Sequence, residues 1–379
     1  MPKNITNTTF DFGGYTIHHY CGVNIPISSL VAQYNPDVDL FIVFTDSYIQ
    51  SLYLDFFHSL RKDIGRCEFV VIPQGEQSKS AKNYIQLTQQ CISLGATRRT
   101  CIVSCGGGVV ENLSGMIAAT LYRGIKLIHI PTTFIAMHDV SISIKQAVNL
   151  DQGKNLIGSF HAPSQVYMDL SFVKTLSSRD YLSGLGELLK TLLFTSPENL
   201  SYVNDNFAQL VAREPPLLLK LILSAIGAKK YLIENDPFEK GNAIVLEYGH
   251  TLGHALEAVE MRRRSPTPLS HGEAVSIGMH FAAILSEEIG LAEPGYLGYQ
   301  LDLIKKLGLP YEIPTGIRAD DLMAAIRFDN KRGHIICDDK MLPMVILSNC
   351  FKPLFTSGKP LLPIPLSQID DLIGRLCKK

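Results

Sequence analysis

The sequence predicts an α/β N-terminal domain with a mainly parallel sheet, followed by a mainly α-helical C-terminal domain. Three observations carry this. Short apolar runs alternate with helix-patterned segments over the first half, as βαβ units do. From about Leu176 onward the chain reads helical. The length, 379 residues with 46% apolar and 19% charged, fits two domains with a sizeable core and excludes a disordered chain. The boundary is placed to give domains 1–175 and 176–379.

In order, Asp39 to Phe44 reads as a buried strand, Glu68 to Ile72 as a second, Cys101 to Ser104 as a third and Lys126 to Ile130 as a fourth. Helix patterns fill Ala81 to Leu94 and Val109 to Tyr122. Ser141 to Leu150 reads as short extended pieces and Gln165 to Asp169 as the last strand. Helices are then expected over Tyr181–Leu193, Leu217–Glu234, Ala243–Glu260, Gly272–Ile289 and Ile369–Leu376, with an outlying strand over Met341 to Leu347. Met261 to Leu269 (MRRRSPTPL) reads as a solvated, proline-broken loop. Ligands on parallel sheets bind at the carboxyl ends of strands, so function is expected after Phe44, Ile72, Cys105 and Ile130.

Charge narrows the partners. Lys plus Arg number 35 and Asp plus Glu 36, a balance that argues against nucleic acid or an acidic membrane as partner. No apolar run approaches the ~20 residues of a membrane span. MPKNITNTTF has neither the apolar core nor the cleavage pattern of a secretory signal. The eight Cys form no CxxC pair, against a zinc ribbon or redox motif. A reducing cytoplasm is expected, with Cys101 and Cys105 acting as small buried residues.

Several clusters carry polar chemistry. Gly106-Gly107-Gly108 follows a strand and opens a helix. It is either a plain tight turn or a place where backbone N–H groups meet a pyrophosphate. Gly249-His250-Thr251-Leu252-Gly253-His254 puts two histidines one helical turn apart; His271-Gly272-Glu273 opens a later segment, and Glu187 with Lys190 lies on an earlier helix. A His pair at this spacing is a capping or surface pair, or, with the second cluster and a helical Glu, part of a divalent metal site of Glu plus two His with an open position. Asp139, Lys145, Asn149, Lys154 and Asn155 form a polar series in an apolar region, either a salt-bridged turn or the floor of a pocket. Asp329-Asn330-Lys331-Arg332-Gly333 reads first as a basic turn.

Taken in order, these motifs resemble the sugar phosphate cyclases, the family of 3-dehydroquinate synthase. The resemblance spans Asp46 to Lys331. It rests on Pro73-Gln74-Gly75-Glu76 with Lys79, Gly106 to Gly108, Arg123-Gly124, Pro131-Thr132-Thr133, Asp139 with Lys145, Gly153-Lys154-Asn155, Gly186-Glu187 with Lys190, the GHTLGH block, His271-Gly272-Glu273 and Asp329-Asn330-Lys331. The resemblance implies the dehydroquinate synthase-like fold, NAD, one divalent metal (zinc or cobalt), a sugar phosphate substrate bound between the domains, and a homodimer. Glu187, His250 and His271 would be the metal ligands. Asp46, Glu76, Lys79, Gly106, Gly107, Gly108, Asn112, Thr132 and Thr133 would hold NAD. Arg123, Lys154, Asn155, Lys229 and Lys331 would bind substrate and phosphate, with Asp139, Lys145, Lys190, Glu247 and His254 in the catalytic set.

Departures from 3-dehydroquinate synthase point to a branch. Val140-Ser141-Ile142-Ser143-Ile144 precedes Lys145 where that enzyme has a glycine pair, Glu247 stands in an Asn position, and Asn112 in an Asp position. An Arg that helps hold the substrate carboxylate would fall at Ala243, while Lys229 matches its partner lysine; losing that bidentate contact argues against a carboxylated substrate. Ser-Ile-Lys-Gln-Ala-Val-Asn, Glu-Tyr-Gly-His and Asp-Asn-Lys-Arg-Gly resemble the 2-deoxy-scyllo-inosose synthase branch. That resemblance implies a redox-neutral cyclisation of glucose 6-phosphate with loss of phosphate, in aminoglycoside biosynthesis. Glu247 would handle a proton or recognise a hydroxyl, or else pair with a nearby lysine. Glu111, beside the glycine turn, is expected either to repel a pyrophosphate or to face solvent, and His138 replaces a small residue before Asp139.

Overall fold

The computed structural model describes residues 5–12, 14–150, 153–195 and 197–378. The first four residues, which entered the argument about a secretory signal, lie outside the described residues. Two compact units form, one of Met1–Leu176 with Ala208–Ile226 and one of Ser177–Phe207 with Gly227–Lys379.

The first unit is built on a seven-stranded sheet. Its strands are β1 (Ile5–Phe12), β2 (Tyr15–Gly22), β3 (Phe41–Asp46), β4 (Cys67–Ile72), β5 (Cys101–Gly106), β6 (Lys126–Pro131) and β9 (Gln165–Asp169). Spatial order is β1-β2-β9-β6-β5-β3-β4. Every neighbouring pair is parallel except the β1–β2 hairpin. The central strands are covered on both faces, which is why β5 reads as a continuous buried run rather than an alternation. Ile42, Phe44 and Ile102 from the sheet pack with Cys91, Leu113 and Ile117 from the helices Ala81–Ser93 and Gly108–Thr120. A separate antiparallel hairpin joins β7 (Lys145–Leu150) to β8 (Gly153–Phe160). β4 follows β3 to one side and β5 lies on the other, so the strand order reverses between β3 and β5. Asp46 and Gly106 end those two strands, at the switch point where open α/β sheets bind ligands.

The second unit is mainly helical. Its central helices, Ser178–Thr195, His250–Arg263 and His271–Glu288, approach through glycines. A Cβ on Gly186 would strike the carbonyl oxygen of Gly272, and one on Gly272 would strike that of Ser183. Gly249 has φ +78, and a Cβ there would lie 2.8 Å from the Val275 carbonyl oxygen.

Four expectations are corrected. The helix expected over Ala243–Glu260 begins at His250: Asn242–Glu247 is a 3-10 turn, and the left-handed Gly249 redirects the chain. The strand expected over Met341 to Leu347 is two strands, Met341–Met344 paired with Leu362–Pro365 and Leu347–Asn349 paired with Lys352–Pro353. Arg262 and Arg263 of the expected loop continue the helix, although they are exposed as expected. The β1–β2 hairpin precedes the first expected strand; ITNTTFDF is a polar edge with little apolar signal. All eight cysteines are free; Cys101 and Cys105 are buried, and burial pushes the Cys101 thiol up to about 12.

Candidate functional site

Each unit carries its own cluster. In the helical unit, Glu187, His250 and His271 each adjoin one of the glycines at which the helices touch, so close backbone approach is what brings their side chains together. Glu187 is 0% exposed. His250 Nε2 lies 3.7 Å and His271 Nε2 3.6 Å from the same Glu187 Oε1. That oxygen has no hydrogen-bond partner among the described residues. The separations are too long for hydrogen bonds. They lie at or just beyond the ~3.3–3.6 Å between neighbouring ligand atoms when each lies about 2.0–2.2 Å from a tetrahedral ion.

Both rings turn their other nitrogen away from Glu187. His250 Nδ1 is 3.1 Å from the Tyr248 carbonyl oxygen, and His271 Nδ1 is 3.2 Å from Glu257 Oε2. Donation from Nδ1 leaves the Nε2 lone pair free. Burial, followed by the Lys190 charge, holds His250 well below the usual imidazole range, so the ring is neutral. The three donors fit a divalent ion. Lys190 Nζ lies 2.6 Å from Glu187 Oε2. The His254 ring lies 5.0 Å from that of His250 and 6.0 Å from that of His271, its pKa lowered by burial.

A second group adjoins in the same unit. Lys331, 1% exposed, has its Nζ 2.9 Å from Asp329 Oδ2 and 3.7 Å from Glu247 Oε2, and Asn330 Nδ2 donates to Glu247 Oε2 at 3.3 Å. The segment first read as a basic turn therefore buries its lysine against two carboxylates. Lys229 and Ala243 are buried.

In the sheet unit, Gly107 precedes the helix Gly108–Thr120, whose N-terminus has no side-chain cap. A Cβ on Gly107 would lie 2.9 Å from Thr133 Cγ2. Thr132 is buried, donates its N–H to the Gly106 carbonyl, and has a hydroxyl without a partner among the described residues. Uncapped N–H groups, a turn without side chains and an unsatisfied hydroxyl suit an anionic ligand at this strand end. Thr133 caps the helix Phe134–His138. Asn112 Nδ2 donates to the Gly108 carbonyl at 2.9 Å, bracing the turn. Asp46 accepts from the N–H groups of Tyr48 and Ile49, both at 2.9 Å, and so caps the helix Ser47–Leu52.

Glu76, Lys79 and Asn155 belong to one network. Asn149 Nδ2 donates to Glu76 Oε1 at 2.7 Å, Lys79 Nζ to Asn155 Oδ1 at 2.6 Å, and Asn155 N–H to Asn149 Oδ1 at 2.9 Å. Arg123 and Lys145 are exposed; Asp139 and Lys154 are half-buried.

Glu111 neither faces solvent nor stands as an anion beside the turn. It is 0% exposed and accepts a 2.8 Å bond from Ser141 Oγ at Oε1. Burial, partly offset by that bond, pushes its pKa up to about 8, so it is a neutral acid at pH 7. His138 is likewise buried, 4.8 Å edge-on from the Phe134 ring. Two residues were not given a role from sequence, Ser141 and Glu257, while Asn149 of the polar series joins the Glu76 and Asn155 network. The available signal for Glu257 was its position three residues after His254 and seven after His250, on one helical face.

Fold and clusters together define a protein that joins a doubly wound α/β unit with a ligand turn to a helical unit with a carboxylate and two imidazoles around one point. Residues 69–183 match the family model of the 3-dehydroquinate synthase N-terminal domain and residues 184–332 that of its C-terminal domain. The chain belongs to the 3-dehydroquinate synthase family. It is 36% identical over 337 residues to a 2-deoxy-scyllo-inosose synthase of Streptomyces lividus, covering 89% of this chain and 86% of that one. A crystal structure of 2-deoxy-scyllo-inosose synthase complexed with carbaglucose-6-phosphate, NAD+ and Co2+ superposes with a TM-score of 0.88 at 31% identity, covering 98% of this chain and 100% of that one. An iron-containing alcohol dehydrogenase, at 13% identity and TM-score 0.66 over 98% and 99% of the two chains, shares the fold.

Proposed function

We propose that the chain is a carbocycle-forming cyclase that converts glucose 6-phosphate to 2-deoxy-scyllo-inosose and inorganic phosphate, with NAD and one divalent ion, cobalt or zinc. The observation that carries this is the pair of Nε2 atoms facing the unpartnered oxygen of buried Glu187, in a chain 36% identical to a 2-deoxy-scyllo-inosose synthase over most of its length. The reading gives NAD to residues 1–175 and the ion to residues 176–379. Asp46, Glu76, Lys79, Asn112, Thr132 and Thr133 hold NAD around the Gly106–Gly108 turn, where the bare helix N-terminus suits its pyrophosphate. Glu187, His250 and His271 hold the ion.

The chemistry supplied by bound NAD is reversible hydride transfer, and that supplied by the bound ion is polarisation of the reacting hydroxyl and ketone. The side chains bind, orient and move protons. Arg123, Lys145, Lys154 and Lys190 neutralise phosphate oxygens as the phosphate leaves, with Asn155, Lys229 and Lys331 fixing the sugar. His254, kept neutral by burial, offers one donor and one acceptor nitrogen. Asp139 belongs to the catalytic set with Lys145. Glu247, held by Asn330 and near Lys331, takes a proton or a hydroxyl hydrogen bond. The methyl group of Ala243, wholly buried, offers no carboxylate contact, in keeping with an uncarboxylated sugar. A cytoplasmic homodimer acting in aminoglycoside biosynthesis completes the reading.

The test is incubation with NAD and Co2+ or Zn2+ against glucose 6-phosphate, sedoheptulose 7-phosphate and the dehydroquinate precursor, reading phosphate release, product mass and NADH. Phosphate and a deoxyinosose mass from glucose 6-phosphate, without NADH accumulation, are expected. Stoichiometric NADH, or phosphate released from another substrate alone, rejects the proposal.

A further inference from the structure

The helix His250–Arg263 carries His250, His254 and Glu257 at steps of four and three, along one face. His250 faces Glu187 through Nε2, while Glu257 reaches the neighbouring helix and meets His271 Nδ1 at 3.2 Å. The two imidazoles are anchored differently. His250 is nearly enclosed, its side chain 8% exposed, and its Nδ1 meets a backbone carbonyl. His271 is the first residue of its helix, its side chain is 33% exposed, and its Nδ1 partner is a carboxylate that is itself buried. His271 is thus the donor least constrained by packing.

The charges are also uneven. Lys190 Nζ sits 2.6 Å from Glu187. A divalent ion would add two positive charges beside an ammonium group and one carboxylate. Glu257 is a second buried carboxylate, one imidazole away.

We propose that Glu257 is the positioning residue of the Glu187–His250–His271 centre: it fixes His271 with Nδ1 protonated and Nε2 turned toward Glu187, and its charge strengthens that centre's hold on a divalent ion. The inference rests on the metal-site reading above. Carboxylates bonded to the far nitrogen of a ligating histidine set tautomer, ring orientation and basicity, and their loss typically weakens metal affinity by about 10–100-fold. Glu257→Gln keeps an acceptor for Nδ1–H and removes the charge; Glu257→Ala removes both.

The test uses full-length protein freed of metal with a chelator, then titrated with Co2+ against a chromophoric competitor. Wild type is expected to bind one Co2+. Glu257→Gln is expected to bind it about tenfold more weakly and Glu257→Ala up to about a hundredfold more weakly, with the unfolding midpoint of the metal-free protein unchanged in the Gln variant. Co2+ affinity within twofold of wild type in both variants overturns the role and leaves the three ligands standing. No Co2+ binding by wild type overturns the metal site and the role together. Glu257 also converges with His254 and His271, so a wild type that binds two ions and a Gln variant that binds one would make it a ligand, which also overturns the proposal. A measurement on wild type alone does not depend on the variants folding: 15N spectra of histidine-labelled, Zn2+-loaded protein should show His271 protonated at Nδ1 and metal-bound at Nε2. The reverse assignment sinks the proposal.

Discussion

A buried glutamate meets opposite surroundings in the two units. In the sheet unit Glu111 has the Ser141 hydroxyl beside it, and burial pushes its pKa up to about 8. In the helical unit Glu187 lies 2.6 Å from Lys190, and Asp329 lies 2.9 Å from Lys331, while burial lowers the pKa of His250 and His254 there as it lowers that of His19 and His129 in the sheet unit. An uncharged Glu111 suits a turn whose backbone N–H groups would meet an anion, because a carboxylate at that place would repel it. Paired charges cost desolvation, and removing one partner leaves the other buried and uncompensated. Changes that break pairs should therefore cost more than changes that alter a neutralised group.

The largest effect is expected at His271. His271→Ala removes one of three donors, and the ion supplies several kcal/mol of transition-state stabilisation, so turnover should fall by about 1,000-fold or more. Metal analysis of the purified variant should find it empty. Retained stoichiometric metal would put the centre elsewhere.

Glu187→Gln tests the pairing itself. Lys190, 3% exposed, would lose its buried counter-charge, and breaking such a pair typically costs about 3–5 kcal/mol. The loss should appear in the metal-free protein, by urea unfolding, so that it is separate from metal binding. Replacing Glu187 and Lys190 together with Gln and Met should recover much of it. An unaltered single variant would mean that water reaches the pair.

These same contrasts set what the sequence could disclose. β3 and β5 were legible because strands covered on both faces are uninterrupted apolar runs. Glu187, His250 and His271 were legible as metal-ligand types in two histidine clusters and a helical Glu, and the family resemblance chose that set of three, which converges here. The start of the His250 helix was not, because apolar spacing continues across Tyr248 while the left-handed Gly249 turns the chain. Glu111 was misjudged for a related reason: a glutamate in a first helical turn is usually solvated, and its burial depends on β5 and the Ser141 turn packing over it. Glu257 depends on a tertiary contact with His271 across a loop, which helical spacing alone cannot supply.

Glu111→Gln should show the opposite sign from Glu187→Gln. The folded-state pKa of Glu111 is raised from 4.5 to about 8. Between those values the folded protein holds a proton that the unfolded chain has released, so this group lowers stability as pH rises, by about 1.4 kcal/mol per pH unit. Gln does not titrate and can still accept from Ser141. The variant should match wild type near pH 4.5 and gain on it steadily to pH 8, about 2–3 kcal/mol between pH 5.5 and 7.5. Unfolding midpoints at those two pH values decide it; a difference that does not grow with pH would show that Glu111 is ionised when folded.

The smallest effect probes the turn without touching any charge. Asn112 Nδ2 braces the Gly108 carbonyl at 2.9 Å, and a net hydrogen bond of this kind contributes about 0.5–1.5 kcal/mol. Asn112→Ala removes the brace and leaves the glycines and the helix N-terminus in place. NAD affinity should fall by up to about tenfold, while Co2+ affinity stays at the wild-type value because Asn112 has no part in the Glu187 centre. Isothermal titration with each ligand separates the two. A matching loss of Co2+ affinity would mean that the turn and the metal centre are energetically coupled, and the division of labour between the two units would have to be abandoned.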